Sequence, residues 1–288
     1  MKLVIKNINK KFSIKKVLNN VSFTVNSGEI VALVGRNGSG KTTLLKILSG
    51  IYSQDSGEIG IEGIDNKNIR KQLIYIPDRF DYFKNSKIKK VCEFYKLAYE
   101  NFDELYFKTE LEKIKLSQTS KLSELSKGQL AIFSLILGIS CRTKFIFLDE
   151  PLDGIDVINT KMIVDYILDA QSDGIGLLIS SHQLNALENI SDKVVYLDDG
   201  IGIGEEINKD EYSKYQLVYQ EKIPEELRCN PNLRIISNIG RVYVVIMRGS
   251  YDATHDIIQD EDLLQYDKLP IVLEDIFLLN SKGEDENV

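Results

Sequence analysis

The chain has 288 residues, 43% of them apolar and 27% charged, with a formal net charge of −7 and a pI near 5.1. That length accommodates one large buried core, or a large and a small domain. The acidic balance works against broad nucleic-acid or anionic-membrane binding, which need basic surface. Three scattered cysteines (Cys92, Cys141 and Cys229) without a CxxC spacing suggest neither a disulfide framework nor a zinc site, and reduced thiols of a cytosolic protein are the expectation.

The first twelve residues, MKLVIKNINKKF, alternate apolar and polar types and lack the continuous apolar centre of a signal peptide. Strands are predicted over 2–7 and 21–25, with a turn at Asn26-Ser27-Gly28. The run Ile30-Val31-Ala32-Leu33-Val34 reads as a strand buried on both faces. A glycine-rich loop follows, then a helix over 42–49 stopped by Gly50, then a strand over 57–63. From about 81 to 139 the spacing is helical: Ile88, Val91, Cys92, Tyr95 and Leu97 form one apolar series, Leu105, Leu111 and Ile114 another. The lysines at 84, 87, 89 and 90 read as a solvated face. The longest apolar run, 130–139, is broken by Ser134 and Gly138 and is too short to span a bilayer.

The buried-strand pattern returns at Phe145-Ile146-Phe147-Leu148, followed by a helix over 160–170, a strand over 175–179, a short helix over 184–190 and a strand over 193–197. This alternation predicts an α/β fold with a largely parallel sheet. A different region begins near residue 208, with strand-like runs at 235–236 and 241–247 and a polar, disordered tail over 281–288. The expected organisation is a domain over 1–207, with a helical subdomain at about 81–140, and an accessory α+β region over 208–288.

Gly35-Arg36-Asn37-Gly38-Ser39-Gly40-Lys41-Thr42 fits G-x-x-x-x-G-K-[ST] between a buried strand and a helix, the setting a phosphate-binding loop requires. Its backbone N–H groups and the helix N-terminus would face phosphates, Lys41 would reach the β- and γ-phosphates, and Thr42 would offer a hydroxyl to Mg²⁺. Asp149 ends a buried strand where α/β sheets place ligands, and suits a second magnesium ligand. Glu150 follows as the candidate base that orients and deprotonates water.

With these residues in place, the chain resembles the ATP-binding-cassette (ABC) ATPases over about residues 3–206. Leu125-Ser126-Lys127-Gly128-Gln129 is similar to the family signature LSGGQ, with Lys127 in place of its first glycine. Residues 151–156 resemble the D-loop, with Asp156 at its acidic position, and Ile179-Ser180-Ser181-His182 resembles the strand that carries the switch histidine. The resemblance implies a P-loop NTPase fold with antiparallel β and helical subdomains. It implies an ATP site built from Phe12 stacking on adenine, Gly35, Arg36, Asn37, Gly38, Ser39, Gly40, Lys41, Thr42 and Thr43. It further implies catalysis by Glu150 and His182, and a signature (Ser126, Lys127, Gly128, Gln129) that reaches ATP held by a second copy. Where the family has a Q-loop glutamine after Tyr75-Ile76-Pro77, this chain has Asp78, which keeps an oxygen for the metal and loses an amide donor. The implied cofactors are ATP and Mg²⁺. The implied partners are a second cassette and an integral membrane permease at the inner face of the cell membrane, with export suggested by Leu273-Glu274-Asp275-Ile276-Phe277 and no nucleic acid expected. A soluble family member acting on nucleic acid or ribosomes is the competing class; pI 5.1 and one cassette weigh against it. A regulatory cassette that binds ATP without hydrolysing it is a third reading, opposed by the presence of both Glu150 and His182.

Overall fold

The computed structural model describes residues 1–182, 187–198, 201–203 and 209–280. The chain divides into two compact units, Met1–Glu205 and Glu206–Val288.

The first unit is organised by a nine-stranded sheet. Its antiparallel part holds β1 (Lys2–Phe12), β2 (Lys15–Asn26) and β4 (Ser56–Ile61), and its parallel part holds β3 (Ile30–Val34), β5 (Leu73–Ile76), β6 (Phe145–Asp149), β7 (Gly176–Ser181) and β8 (Lys193–Asp198). With β9 (Ile201–Ile203), the order is β4-β1-β2-β9-β8-β3-β7-β6-β5. β1 and β2 run longer than the sequence pattern predicts, because β-bulges at positions 5–11 restart the alternation several times. All five residues of β3 and of β6 are buried. Apolar runs of this kind suit a strand covered on both faces, and β3 and β6 each lie inside the sheet, paired on both sides.

Among the described residues this unit has five α-helices: α1 (Lys41–Leu48), α2 (Ile88–Ala98), α3 (Glu104–Lys113), α4 (Lys127–Ser140) and α5 (Val157–Ser172). α1 buries Leu44, Leu45, Ile47 and Leu48, which join Val31, Leu33, Phe145 and Phe147 of the sheet in one core. Two expected core leucines face outward: Leu97 is 88% exposed and Leu105 78%. The helix geometry explains this. α2 buries Ile88, Val91 and Cys92, and α3 buries Phe107, Glu110 and Leu111. Leu97 lies two positions beyond Tyr95 and Leu105 two before Phe107, about 200° around each helix at 100° per residue. The short helix expected over 184–190 falls partly outside the described residues, and 187–190 form a turn.

The second unit has a four-stranded antiparallel sheet in the order β11 (Leu233–Ile239), β12 (Val242–Arg248), β10 (Tyr212–Tyr219), β13 (Leu263–Lys268). It carries α6 (Glu225–Arg228), α7 (Tyr251–Ile258) and α8 (Leu273–Asn280). Tyr215, Leu217, Tyr219, Tyr243, Val245, Met247 and Ile258 form its own core. The expected tail at 281–288 and the expected boundary at 207–208 lie outside the described residues. Among the described residues, no helix is long and apolar enough to cross a membrane.

Candidate nucleotide-binding and hydrolytic site

The loop between β3 and α1 turns on Gly38 and Gly40, whose φ angles are +85° and +104°. A Cβ on Gly40 would sit 2.9 Å from the Val17 carbonyl oxygen and from a Leu18 methyl, so the loop needs glycine there for both conformation and space. Lys41 is 6% exposed; its ammonium donates to the Gly35 carbonyl at 2.7 Å and the Arg36 carbonyl at 3.3 Å, and lies 3.3 Å from Glu150 Oε1. Ser39 Oγ is buried without a hydrogen-bond partner. A buried hydroxyl in a glycine-turned loop at a helix N-terminus suits a ligand oxygen, so this cradle fits phosphate.

The ends of β6 and β7 supply the other wall. In register, Asp149 lies opposite Ser180. Asp149 Oδ1 accepts from Thr42 Oγ1 at 3.0 Å and from Ser180 Oγ at 2.8 Å, and Oδ2 accepts from the Tyr75 hydroxyl at 2.8 Å. Burial pushes the Tyr75 phenol well up, and the charge of Asp149 adds to it, so Tyr75 stays a donor at every physiological pH. A hydroxyl and a carboxylate side by side are the hard oxygen donors that Mg²⁺ takes, leaving its other positions to water and phosphate. Thr42 and Asp149 therefore fit that ion. Among the described residues, no three His, Cys, Asp or Glu converge as a metal cluster.

Glu150 has φ +49°, rare outside glycine and asparagine. Such a residue persists only when its surroundings hold it. Here its N–H donates to Ser180 Oγ at 2.9 Å, and its Oε2 meets the His182 N–H at 3.1 Å and Nδ1 at 2.8 Å. Glu150 and His182 thus meet directly, although they come from different strands.

The remaining candidates lie around this centre. Phe12 ends β1, is 44% exposed and packs edge-on against Tyr52, with ring centroids 5.7 Å apart. Ser126 caps α4: Gln129 N–H donates to Ser126 Oγ at 3.2 Å and Ser126 N–H to Gln129 Oε1 at 3.0 Å, a reciprocal capping box. Gly128 lies against Asn159 of α5, where a Cβ would approach the amide nitrogen to 2.5 Å. Asp156 caps α5, accepting from the N–H groups of Ile158 and Asn159 at 3.1 Å each. Asp78 follows β5 and lines a small crevice with Lys127, Asp149, Glu150 and Asp153; its ion pair, at 3.5 Å, is to Arg79.

Tyr75, Ser180 and Asp153 were not singled out by sequence reasoning. Ser180 carried a usable signal, a polar residue at the end of an apolar strand. Tyr75 did not, because a tyrosine in a strand normally packs.

Comparison with known proteins agrees with this geometry. The family described as ABC transporter matches residues 18–153. The ABC transporter ATP-binding protein YtrB of Bacillus subtilis is 28% identical over 97% of this chain and 98% of its own length. The uncharacterized ABC transporter ATP-binding protein MJ1023 of Methanocaldococcus jannaschii is 34% identical over 69% of this chain and 75% of its own. The ribose import ATP-binding protein RbsA of Clostridium tetani is 34% identical over 72% of this chain, which spans only 44% of that protein. Among solved structures, the ATP-binding subunit of an ABC transporter superposes with a TM-score of 0.63 at 25% identity, covering 70% of this chain and 88% of its own. The P-loop geometry and these relatives lead to one conclusion: the chain belongs to the ABC transporter ATP-binding proteins, a family of cassettes that bind and hydrolyse ATP.

Proposed function

We propose that this chain is the motor subunit of a transporter, in which ATP-driven closure of two cassettes moves a substrate through a separate membrane subunit. The observation that carries this reading is the convergence of Lys41 and Thr42 on Asp149 and Glu150, four side chains from a loop, a helix and a strand end. When bound, Mg²⁺ would neutralise phosphate charge; Thr42 and Asp149 would hold it, and Asp78 would offer a further oxygen nearby. Gly35 through Thr43 cradle the triphosphate, with Arg36 and Asn37 at the loop's exposed apex and Phe12 stacking on adenine. Glu150 takes a proton from the attacking water, and His182 fixes the carboxylate that receives it. Ser126, Lys127, Gly128 and Gln129 reach the nucleotide of a second copy, with Asp156 beside them.

Glu150→Gln tests the assignment: it should keep ATP affinity and lower kcat at least about 100-fold, the lower end of a general base's contribution. Undiminished turnover would remove Glu150 as base.

We infer attachment to the inner face of the cell membrane through the permease, and export as the direction from the segment at 273–277, which opens α8. Import is favoured by a separate observation, the relative named for ribose import. ATP-dependent accumulation in vesicles of known orientation, once the permease is identified by co-purification, separates the two. Ribosomes or DNA in that preparation would instead favour the soluble class.

A further inference from the structure

The polar side chains of the site form a continuous series that continues past the base. Lys41 Nζ lies 3.3 Å from Glu150 Oε1, and Glu150 Oε2 lies 2.8 Å from His182 Nδ1. The other ring nitrogen, His182 Nε2, lies 3.5 Å from Asp153 Oδ1, and Asp153 Oδ2 accepts from Lys127 Nζ at 2.9 Å. Side-chain exposure rises along the series, from 6% at Lys41 through 18%, 28% and 38% to 50% at Lys127. The series thus runs from the buried cradle to the surface at the first turn of α4.

Each link does something the next one needs. The imidazole has a carboxylate beside each nitrogen, so Asp153 bears on the orientation of the ring that meets Glu150. Asp153 sits in the turn after Glu150, and its partly exposed carboxylate has a partner there. Lys127 is that partner, and hydrogen bonding by Lys127 holds the Asp153 carboxyl below the usual carboxylate range. The neighbouring Gly154 makes room: a Cβ there would come within 2.9 Å of Lys127 Nζ. A lysine at position 127 and an acid at position 153 are therefore matched across two segments far apart in sequence.

We propose that Asp153 is a positioning residue for His182 and Glu150, and that Lys127 sets it in place, so that the signature segment is wired to the base of its own chain. This rests on the reading of Glu150 as base.

The test uses steady-state Mg²⁺-ATPase kinetics and thermal melts on the full chain. Lys127→Ala and Asp153→Asn should each lower kcat about fivefold, the scale of a partly exposed ion pair, and change KM for ATP less than about twofold. The double variant should be no slower than the slower single, because both remove one link. Lys127→Arg keeps a cation for Asp153 and should lose less kcat than Lys127→Ala. The charge exchange Lys127→Asp with Asp153→Lys restores an ion pair but puts a cation against His182; it should recover melting temperature and not kcat. The inference is overturned if the single effects multiply in the double variant, if the exchange recovers kcat, or if the singles turn over normally. Glu150→Gln run alongside separates the two failures: an active Glu150→Gln removes the underlying reading, whereas an inactive one beside unaffected singles removes this inference alone.

Discussion

Asp78 shows how one side chain can be set against its surroundings. It is a carboxylate beside two others, Asp149 and Asp153, in a partly closed crevice. Burial raises its pKa above the usual aspartate range; Lys127 and Arg79 oppose that shift, while Asp149 and Asp153 reinforce it. The folded chain therefore holds this proton more tightly than the unfolded chain does. The stability it contributes is fully present below the ordinary aspartate pKa of about 3.9 and is lost as pH rises through the folded-state value. Asp78→Asn should melt higher than the parent chain at pH 7 in EDTA, with the gain vanishing near pH 3.5, about where both states are protonated. Thermal melts across that range check it, and a lower melting temperature at pH 7 would contradict the argument.

At the scale of elements, the first turns of the helices add to what their apolar faces contribute. Asp103 caps α3 by accepting from the Tyr106 N–H at 2.9 Å, and also pairs with Arg142 Nη2 at 2.7 Å. The Tyr106 N–H and then the Arg142 guanidinium hold its carboxyl below the usual range. Its contribution is therefore present above that range and lost as pH falls through the depressed value. Asp103→Ala should cost about 1 kcal/mol at neutral pH, a typical N-cap loss, in urea denaturation. Asp103→Asn keeps a capping oxygen and gives up the ion pair, so it should cost less. The same capping logic at Ser126 and Asp156 explains why these two candidate functional residues also stabilise α4 and α5. A serine or aspartate that caps a helix already faces a row of N–H groups, which is where an anion would bind.

At the scale of the whole molecule, the two units have separate cores. Leu33, Leu44, Phe145 and Leu178 belong to one; Tyr215, Leu217, Tyr243 and Met247 belong to the other. A chain ending at Glu205 should fold and bind ATP, because every proposed cradle residue and its packing partners lie before that point. Nucleotide binding and a cooperative melt of the truncated chain check this, and loss of both would show that the second unit is needed for the first to fold. Within the first unit the parallel order β8-β3-β7-β6-β5 brings strand ends together that are more than a hundred residues apart in sequence. The strand-to-helix loops at that edge carry the site, as expected of an open α/β sheet.

Local patterns determined a good part of this molecule. The apolar runs at 30–34 and 145–148 read as buried strands, the spacing in 42–49 as an amphipathic helix, and Gly35 to Thr42, set between strand and helix, as a phosphate loop, because each signal lies within a few residues of chain. The strands β10 and β13 and the helix α7 were not read, although Tyr215, Leu217 and Tyr219 do alternate. Short strands of mixed polarity carry weak local signals and are decided by their neighbours in the sheet. What tertiary structure alone decided is which side chains meet. Thr42 touches Asp149 across 107 residues, Tyr75 touches it across 74, and Lys127 reaches Asp153 across 26. Contacts of that range depend on strand order and register, which no local spacing encodes.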